Sequence, residues 1–533
     1  MAHRCNNAVW SALESHLVPP LPSTNWYYST LLKNSVVAVC LLPVGIVTGS
    51  FVGFYKVCSY AASYWTKPEI IDPKNNFQAV VDDSRLWNKL GTLKELEQDL
   101  IDDPLNLKLM GPATCTYQDS PKSCPNSQWT PWIDKVVDPA NRPDDTPGLF
   151  TLYESPAGRK ELIERLQKLN ANAYRFSVEW SHLEPKPGQW DDTKLQVYVD
   201  LSKALLDAGI EPMVTLHHFS EPNWFHLEGS FEKEENIQYF TQFARKVGTA
   251  LRQDYNGRAL VEYFCTINEP AVEAFSRYVL GSFSPGNICN FAKAGNFLKN
   301  ALKAHCAVYD MFKQMNHAPQ VGIVHQYIRF IPTNFLVYPV TKYLNQLFAA
   351  PMEFFRNEGK FELKVPFLCN IEEQCKKPET DFVGVQYYTL PVISLTGPTT
   401  LHGEPMTQMP FHEAPAGIYE AMVESHKAFN ADVMITENGI STHNDRQRKR
   451  YMTRALYAVR EAAKHIGKEK VRAYFPWSLG DNLEWNMGMR PQAFGAFALT
   501  PEGLAKEPKP GMASYIRIAA AWTAVQKATR KIA

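Results

Sequence analysis

The 533-residue sequence has no net charge, because 55 Lys and Arg balance 55 Asp and Glu. This balance argues against a general nucleic-acid or acidic-surface binder, and no nucleic-acid partner is expected. Ten cysteines in so long a chain are not a disulfide framework, so free thiols are expected. The sequence contains no Cys-x-x-Cys pair and no His/Cys cluster with zinc spacing. We therefore expect neither a metal nor a cofactor.

One long uncharged run lies near the amino terminus. Residues 34–55, between Lys33 and Lys56, are 22 residues without a charge. At about 1.5 Å per helical residue this run spans the ~30 Å of a bilayer core, and aromatic residues flank it on both sides, as interfacial belts do. We predict a single transmembrane helix that makes the protein membrane-associated; without it, a cytoplasmic location is expected. A buried hydrophobic hairpin is the alternative, and a signal peptide fits poorly because the run starts late and is too long.

After a charged stretch, strand-like and helix-like patterns alternate along the chain. Strands are predicted at 107–110, 173–177, 212–216, 263–267, 321–324, 382–386, 433–436 and 471–475. Helical patterns between them include 159–170, 194–208 and 446–465. This alternation favours the α/β class, as a closed (β/α)8 TIM barrel with its active site at the carboxyl ends of the strands. The predicted organisation is a tail at 1–33, a transmembrane helix at 34–55, a linker and short helix at 56–104, and the barrel at 105–527.

Two glutamates follow short apolar strands. Glu269 lies in the sequence TINEP and Glu437 in ITENG. A carboxylate at the mouth of each of two strands is what cleavage of a glycosidic bond requires. Asn-Glu-Pro alone is more often a turn, but paired with the second motif it indicates an active site.

Five further motifs accompany these two, in a fixed order along the chain. They are GPATCTYQ at 111–118, NAYRFS at 172–177, VTLHHF at 214–219, DFVGVQYY at 381–388 and WSLGDNLEW at 477–485. Together the seven motifs resemble glycoside hydrolase family 1, the β-glucosidase and β-galactosidase family of retaining (β/α)8 barrels. The resemblance covers roughly residues 105–525.

The resemblance implies that Glu269 is the acid/base and Glu437 the nucleophile, with carboxyl groups ~5–5.5 Å apart. One carboxyl must keep its proton while the other is ionised, so their surroundings must push their pKa values apart. Arg175 and Tyr388 are then expected to hold Glu437 in its charged, oriented form. The remaining matches imply contacts to the sugar from Gln118, His218, Asn268, Trp477, Glu484 and Trp485.

Two of these contacts bear on the substrate. Asn268 is expected at the 2-hydroxyl beside the reacting carbon. Glu484 is expected where O4 and O6 bind, and its carboxylate would repel a 6-phosphate; the phospho-glycosidases of the family lack it. Non-phosphorylated substrates are therefore predicted. The chain also departs from the family pattern, since Gln386 replaces an Asn and Ser220 an Asp.

The predicted function is a retaining β-glycosidase that hydrolyses small-molecule β-glucosides or β-galactosides. One alternative is a membrane-anchored transglycosylase acting on glycolipid headgroups, similar to the galactolipid galactosyltransferases of the family, which also carry an amino-terminal hydrophobic segment. Another is a catalytically silent sugar-binding protein. The sequence does not predict the glycone, the aglycone, the membrane topology or the oligomeric state.

Overall fold

The computed structural model describes residues 92–400, 406–409, 411–489 and 492–532. The predicted tail, the predicted transmembrane helix at 34–55 and most of the predicted linker lie outside the described residues. Within them, no helix is both long enough and apolar enough to cross a membrane.

Eight parallel strands form the central sheet. They are β1 Leu109–Met110, β2 Ala173–Ser177, β3 Glu211–His217, β4 Tyr263–Asn268, β5 Gln320–Gln326, β6 Phe382–Tyr387, β7 Asp432–Asn438 and β8 Val471–Pro476. Each strand pairs with the next in sequence from β2 to β8, and β8 pairs with β1. The ring closes between β1 and β2 where Asn172 N–H donates to Met110 O at 2.8 Å and Arg175 N–H to Pro112 O at 3.1 Å. The predicted (β/α)8 barrel is confirmed.

Helices cover the outside of the barrel. The longer ones are α1 Leu93–Asp102, α2 Trp129–Val136, α3 Pro156–Lys168, α4 Asp192–Asp207, α5 Ile237–Leu251, α6 Phe291–Lys313, α7 Tyr338–Arg356, α8 Ile418–Phe429, α9 Asp445–Ile466 and α10 Ala513–Ile532. Shorter helices lie at Thr116–Asp119, Leu149–Tyr153, Trp180–Leu183, Asn223–Leu227 and Pro270–Ala274, the last continued by a π-turn at Phe275–Val279. Small antiparallel or mixed sheets join Asp254–Tyr255 to Arg258–Ala259, Lys360–Val365 to Cys369–Gln374, Leu499–Thr500 to Gly503–Leu504, and Ile331–Pro332 to Val392–Ser394 and Gly397–Thr399.

Two apolar cores follow from the alternation of side chains along the strands. Inward residues such as Ala173, Met213 and Met434 pack together inside the barrel. Outward neighbours such as Val214 and Val433 pack between the strands and the helices. Strands buried on both faces need near-continuous apolar sequence, which is what the strand predictions used.

Candidate active site

A bulge in β7 turns Glu437 towards the interior. Val385 on β6 pairs with Ile435, whereas the next residue, Gln386, pairs with Glu437, so Thr436 is an extra residue on β7. An extra residue reverses the alternation of side chains beyond it, and such bulges are frequent beside active sites. The register shift therefore points the Glu437 side chain into the barrel. With strict alternation from Met434, this side chain would point outward.

A similar shift positions the other glutamate at the end of β4. Cys265 pairs with Gly322 of β5 but Asn268 with Val324, so β4 has one more residue than β5 over this interval. Glu269 follows directly, with its N–H donating to Val324 O at 3.1 Å. Its backbone is left-handed, with φ of 42°, which is strained for a residue with a side chain. Strain of this kind clusters at functional sites.

Glu437 lies among hydrogen-bond donors. Arg175 Nη1 donates to Oε1 at 2.7 Å, and the Tyr388 hydroxyl donates to Oε2 at 2.7 Å. His218 Nε2 lies 3.7 Å from Oε1. Burial raises the pKa of Glu437, while the charge of Arg175 and the hydrogen bond from Tyr388 act against that rise. Both partners that the sequence assigns to Glu437 are thus in contact with it.

Glu269 has the opposite surroundings. Its Oε1 is buried and has no hydrogen-bond partner among the described residues. Burial first, and the nearby charge of Glu437 second, hold the pKa of Glu269 well above its usual range. Of the two carboxyls, Glu269 is therefore the one whose surroundings favour the protonated form more strongly.

Further polar groups lie at or after the ends of β4, β1 and β3, at the same end of the barrel as the two carboxyls. Asn268 Oδ1 accepts from Arg175 Nη2 at 2.6 Å, and its Nδ2 is buried without a partner among the described residues. Gln118 Nε2 donates to Leu483 O at 2.8 Å, and its Oε1 is buried with no partner in the part of the chain that the structure describes. Burial and the charge of Arg175 lower the pKa of His218 well below its usual value, so its ring is neutral. Fixed donors and acceptors without protein partners suit a ligand rich in hydroxyl groups.

Glu484 and Trp477 lie on the loop after β8. Burial, and then the charge of Glu437, raise the pKa of Glu484 to about 8. The ring of Trp477 is tilted against that of His218, with centroids 5.7 Å apart. A Cβ at Gly439 would lie 2.2 Å from the Trp477 carbonyl oxygen, which explains why the Glu437 motif ends in glycine.

Trp485 is part of an aromatic cluster at this end of the barrel. Its ring is stacked on that of Tyr117 at an interplanar angle of 3°, and its centroid lies 4.6 Å from that of Trp129. Phe219 and Phe283 complete the cluster. Only 6% of Trp485 is exposed, so this residue shapes the pocket wall mainly through packing.

Sequence reasoning missed a buried charged network behind Glu269. Glu273 accepts from His217 Nε2 at 2.8 Å and from Arg277 Nη1 at 2.9 Å. Arg277 also pairs with Glu221. The sequence does carry one signal for this network: Glu273 and Arg277 lie four residues, or about one helical turn, apart just after Glu269.

His217, Glu221 and Glu273 also bring three ligand atoms within 4.8 Å of one another. Both carboxylates already face the Arg277 guanidinium, whose charge lowers the pKa of Glu221 against the effect of burial. A cation would have to displace this arginine, so these residues do not suit a metal.

Ser220, one of the departures from the family pattern, lies in a separate polar cluster. Its hydroxyl donates to Glu179 Oε1 at 2.9 Å and lies 2.9 Å from the Ser127 hydroxyl. Ser181 donates to the same Glu179 oxygen from its backbone and its hydroxyl. A carboxylate is therefore still present beside this position, supplied by the loop after β2.

Comparison with known proteins agrees with the barrel and its motifs. A model of glycosyl hydrolase family 1 matches residues 159–500. Beta-glucosidase A of Thermotoga maritima is 27% identical over 369 residues, covering 62% of this chain and 78% of the relative. A 6-phospho-beta-galactosidase of Clostridium acetobutylicum is 26% identical over 401 residues, covering 63% and 81%. Beta-glucosidase-like SFR2, chloroplastic, of Oryza sativa subsp. japonica is 26% identical over 385 residues, covering 67% and 54%.

Solved structures show the same barrel. The beta-glycosidase from Pyrococcus horikoshii superposes with a TM-score of 0.65 at 26% identity, covering 79% of this chain and 95% of that one. A family 1 β-glucosidase from Thermotoga maritima gives a TM-score of 0.66 at 22% identity and covers 78% and 99%. Because the family model spans more than half of the sequence and the motifs meet in one pocket, the chain belongs to glycosyl hydrolase family 1 and is a β-glycosidase.

Proposed function

We propose that this chain is a retaining β-glycosidase that hydrolyses non-phosphorylated β-glucosides or β-galactosides. One observation carries the proposal, namely the unequal surroundings of the two glutamates. Glu437 is held by Arg175 and Tyr388, each at 2.7 Å, while Glu269 is buried with an unpartnered oxygen. This asymmetry suits one nucleophile and one proton donor.

The reaction then runs in two steps. A Glu437 oxygen attacks the anomeric carbon, the glycosidic C–O bond breaks, and Glu269 gives its proton to the leaving oxygen. The second step reverses the roles: Glu269 takes a proton from water as the water oxygen attacks the same carbon, and the bond to Glu437 breaks. No other reactant is needed, and the sugar keeps its β configuration.

The proposed glycone contacts follow from the pocket wall. Asn268 and Gln118 present one unpartnered donor and one unpartnered acceptor, and His218, Glu484, Trp477 and Trp485 complete the set. A carboxyl at position 484 disfavours a 6-phosphate, because a phosphate is held by cations and Glu484, whose pKa burial raises to about 8, supplies no positive charge in either protonation state.

Transglycosylation at a membrane is a second candidate. The uncharged run at 34–55 favours a single-pass anchor, and a relative named beta-glucosidase-like SFR2, chloroplastic, is among the matches. The first step is unchanged; a sugar hydroxyl of a glycolipid then replaces water as the attacking group. A membrane-associated location through this run belongs to the same proposal.

A substrate screen of the full chain in mild detergent tests both candidates. β-Gluco-, β-galacto-, β-fuco- and β-mannosides are compared with 6-phospho-β-galactosides, and a β-galactosyl lipid is added for product analysis. We expect turnover of gluco- or galactosides at least tenfold above the phosphorylated substrates. Free sugar from the lipid identifies a hydrolase, and extended headgroups identify a transferase. A folded protein that binds sugar without turning over any of them contradicts the enzymatic proposal.

A further inference from the structure

Gln386 occupies a central position in the pocket without an assigned role. It lies near the end of β6, is fully buried, and pairs in register with Glu437 on one side and Gln326 on the other. Tyr388, two residues on, contacts Glu437. The related motif has an Asn here, so this chain places its amide one methylene further from the strand.

The extra length lets Gln386 reach Asn268. Gln386 Nε2 donates to Asn268 Oδ1 at 2.8 Å, and Arg175 Nη2 donates to the same oxygen at 2.6 Å. A carbonyl oxygen accepts two hydrogen bonds, so both lone pairs of Oδ1 are used. Turning the Asn268 amide over would set its NH2 group against two donors, and the present orientation is therefore fixed.

The fixed orientation has a consequence for the other end of the amide. Asn268 Nδ2 is buried and has no partner among the described residues. A buried donor without a partner is destabilising, and a ligand acceptor beside it removes that cost.

We propose that Gln386 is a positioning residue that fixes Asn268 as a hydrogen-bond donor to the sugar hydroxyl next to the reacting carbon. This inference rests on the proposed function. Shortening residue 386 by one C–C bond, about 1.5 Å, puts the amide beyond hydrogen-bond distance of Asn268. The Asn268 amide is then held by Arg175 alone, and its orientation is less restrained.

The test compares pairs of ligands that differ only at the 2-position. For the full chain and Gln386→Asn, kcat and KM are measured for an aryl β-glycoside and its 2-deoxy form, and Kd for glucose and 2-deoxyglucose. We expect the ratio of kcat/KM between the 2-hydroxy and 2-deoxy substrates to fall at least tenfold in the variant, mainly through kcat. The rate on the 2-deoxy substrate stays within about threefold.

Two further variants guard against a merely structural effect. Gln386→Met keeps the length of the side chain and removes the donor. If Gln386→Asn fails to fold, Gln386→Met must show the same fall in the ratio between the 2-hydroxy and 2-deoxy substrates. Gln326→Asn makes the same truncation at the paired buried position, where no described hydrogen bond reaches Asn268, and must leave the ratio unchanged.

The outcomes separate the two proposals. An active wild type whose Gln386 variants keep the 2-hydroxy preference, or lose both substrates equally, overturns the positioning role alone. A wild type that neither turns over β-glycosides nor prefers glucose to 2-deoxyglucose overturns the role and the proposed function together. If the wild type only binds sugars, the Kd ratio decides the positioning role in the same way.

Discussion

At the scale of single residues, Glu269 and Glu437 have the same chemical group but different neighbours. Burial raises the pKa of both, but a cation and a hydroxyl contact Glu437 and oppose the rise, whereas Glu269 Oε1 has no hydrogen-bond partner among the described residues. Sequence motifs were enough to nominate both residues and the partners Arg175 and Tyr388. They did not indicate the contact between Gln386 and Asn268, because it depends on a single methylene and on the register of two strands.

Replacing Glu437 should slow all substrates, whereas replacing Glu269 should slow some substrates much more than others. Glu437→Gln is nearly isosteric and removes the nucleophile, so we expect every substrate to slow by more than about a thousandfold. Glu269→Ala should slow poorly activated glycosides by about 10²–10⁴ but aryl glycosides with good leaving groups far less, and azide should restore part of the rate. Steady-state kinetics checks both, with the exposed Glu164→Gln as control. Equal losses on both substrate types in Glu269→Ala would contradict the acid/base assignment.

The dependence of rate on pH follows from the same contacts. Glu269 must be protonated, and because its pKa is raised, the alkaline limb of kcat/KM should lie well above the ordinary glutamate pKa of about 4.3. Glu437 must be ionised; burial raises its pKa, and the charge of Arg175 opposes that rise. Arg175→Met should therefore move the acid limb up by about 1–3 pH units.

Tyr388→Phe serves as the matched comparison for that shift. It removes one hydrogen bond to Glu437 and no charge, so its acid limb should move in the same direction by a smaller amount. Profiles of kcat/KM against pH for both variants provide the measurement. An acid limb that stays in place or moves down in Arg175→Met would rule out this electrostatic role.

At the scale of elements, apolar patterning located all eight strands to within two residues of their ends. The predicted start of α3 was wrong because a local signal was overlooked. The helix starts at Pro156, three residues before the predicted start, and the Ser155 hydroxyl caps it by accepting from Gly158 N–H at 3.0 Å. The bulge at Thr436 was not predictable, because a strand buried on both faces reads as a continuous apolar run that carries no mark of its register.

The network behind the Glu269 helix gives a stability prediction. Arg277→Met would leave Glu221 and Glu273 buried without their cation, and we expect the free energy of unfolding to fall by about 3–5 kcal/mol. Arg258→Met breaks a pair with Glu211 in which the arginine is 43% exposed, and should cost less than about 1 kcal/mol. Denaturant titrations compare the two variants. Similar losses of unfolding free energy in both variants would mean that the buried network contributes no more to stability than an exposed ion pair does.

At the scale of the whole molecule, the order of seven motifs predicted the family and the barrel, and a closed barrel brings strand ends that are distant in sequence to one end of the molecule. The packing of Trp485 among aromatic rings was beyond the sequence, because an aromatic residue fits a ligand platform and a core equally well.

The uncharged run at 34–55 predicts that the 533-residue chain binds lipid membranes. We expect the full-length protein to float with lipid vesicles and a chain of residues 66–533 to remain in the dense fraction, since about 20 apolar residues suffice to span a bilayer. Activity on a soluble aryl glycoside should be equal in both forms. Flotation of the shorter chain, or sedimentation of the longer one, would contradict the predicted anchor.

Covalent trapping tests the division of roles between the two glutamates most directly. Incubation of the full chain with a 2-deoxy-2-fluoro-β-glycoside that carries a good leaving group, followed by peptide mass spectrometry, locates the trapped sugar. We predict one added glycosyl group per chain, on Glu437, and none in Glu437→Gln. A label on Glu269, or a folded wild-type protein that never becomes labelled, would contradict the proposed mechanism.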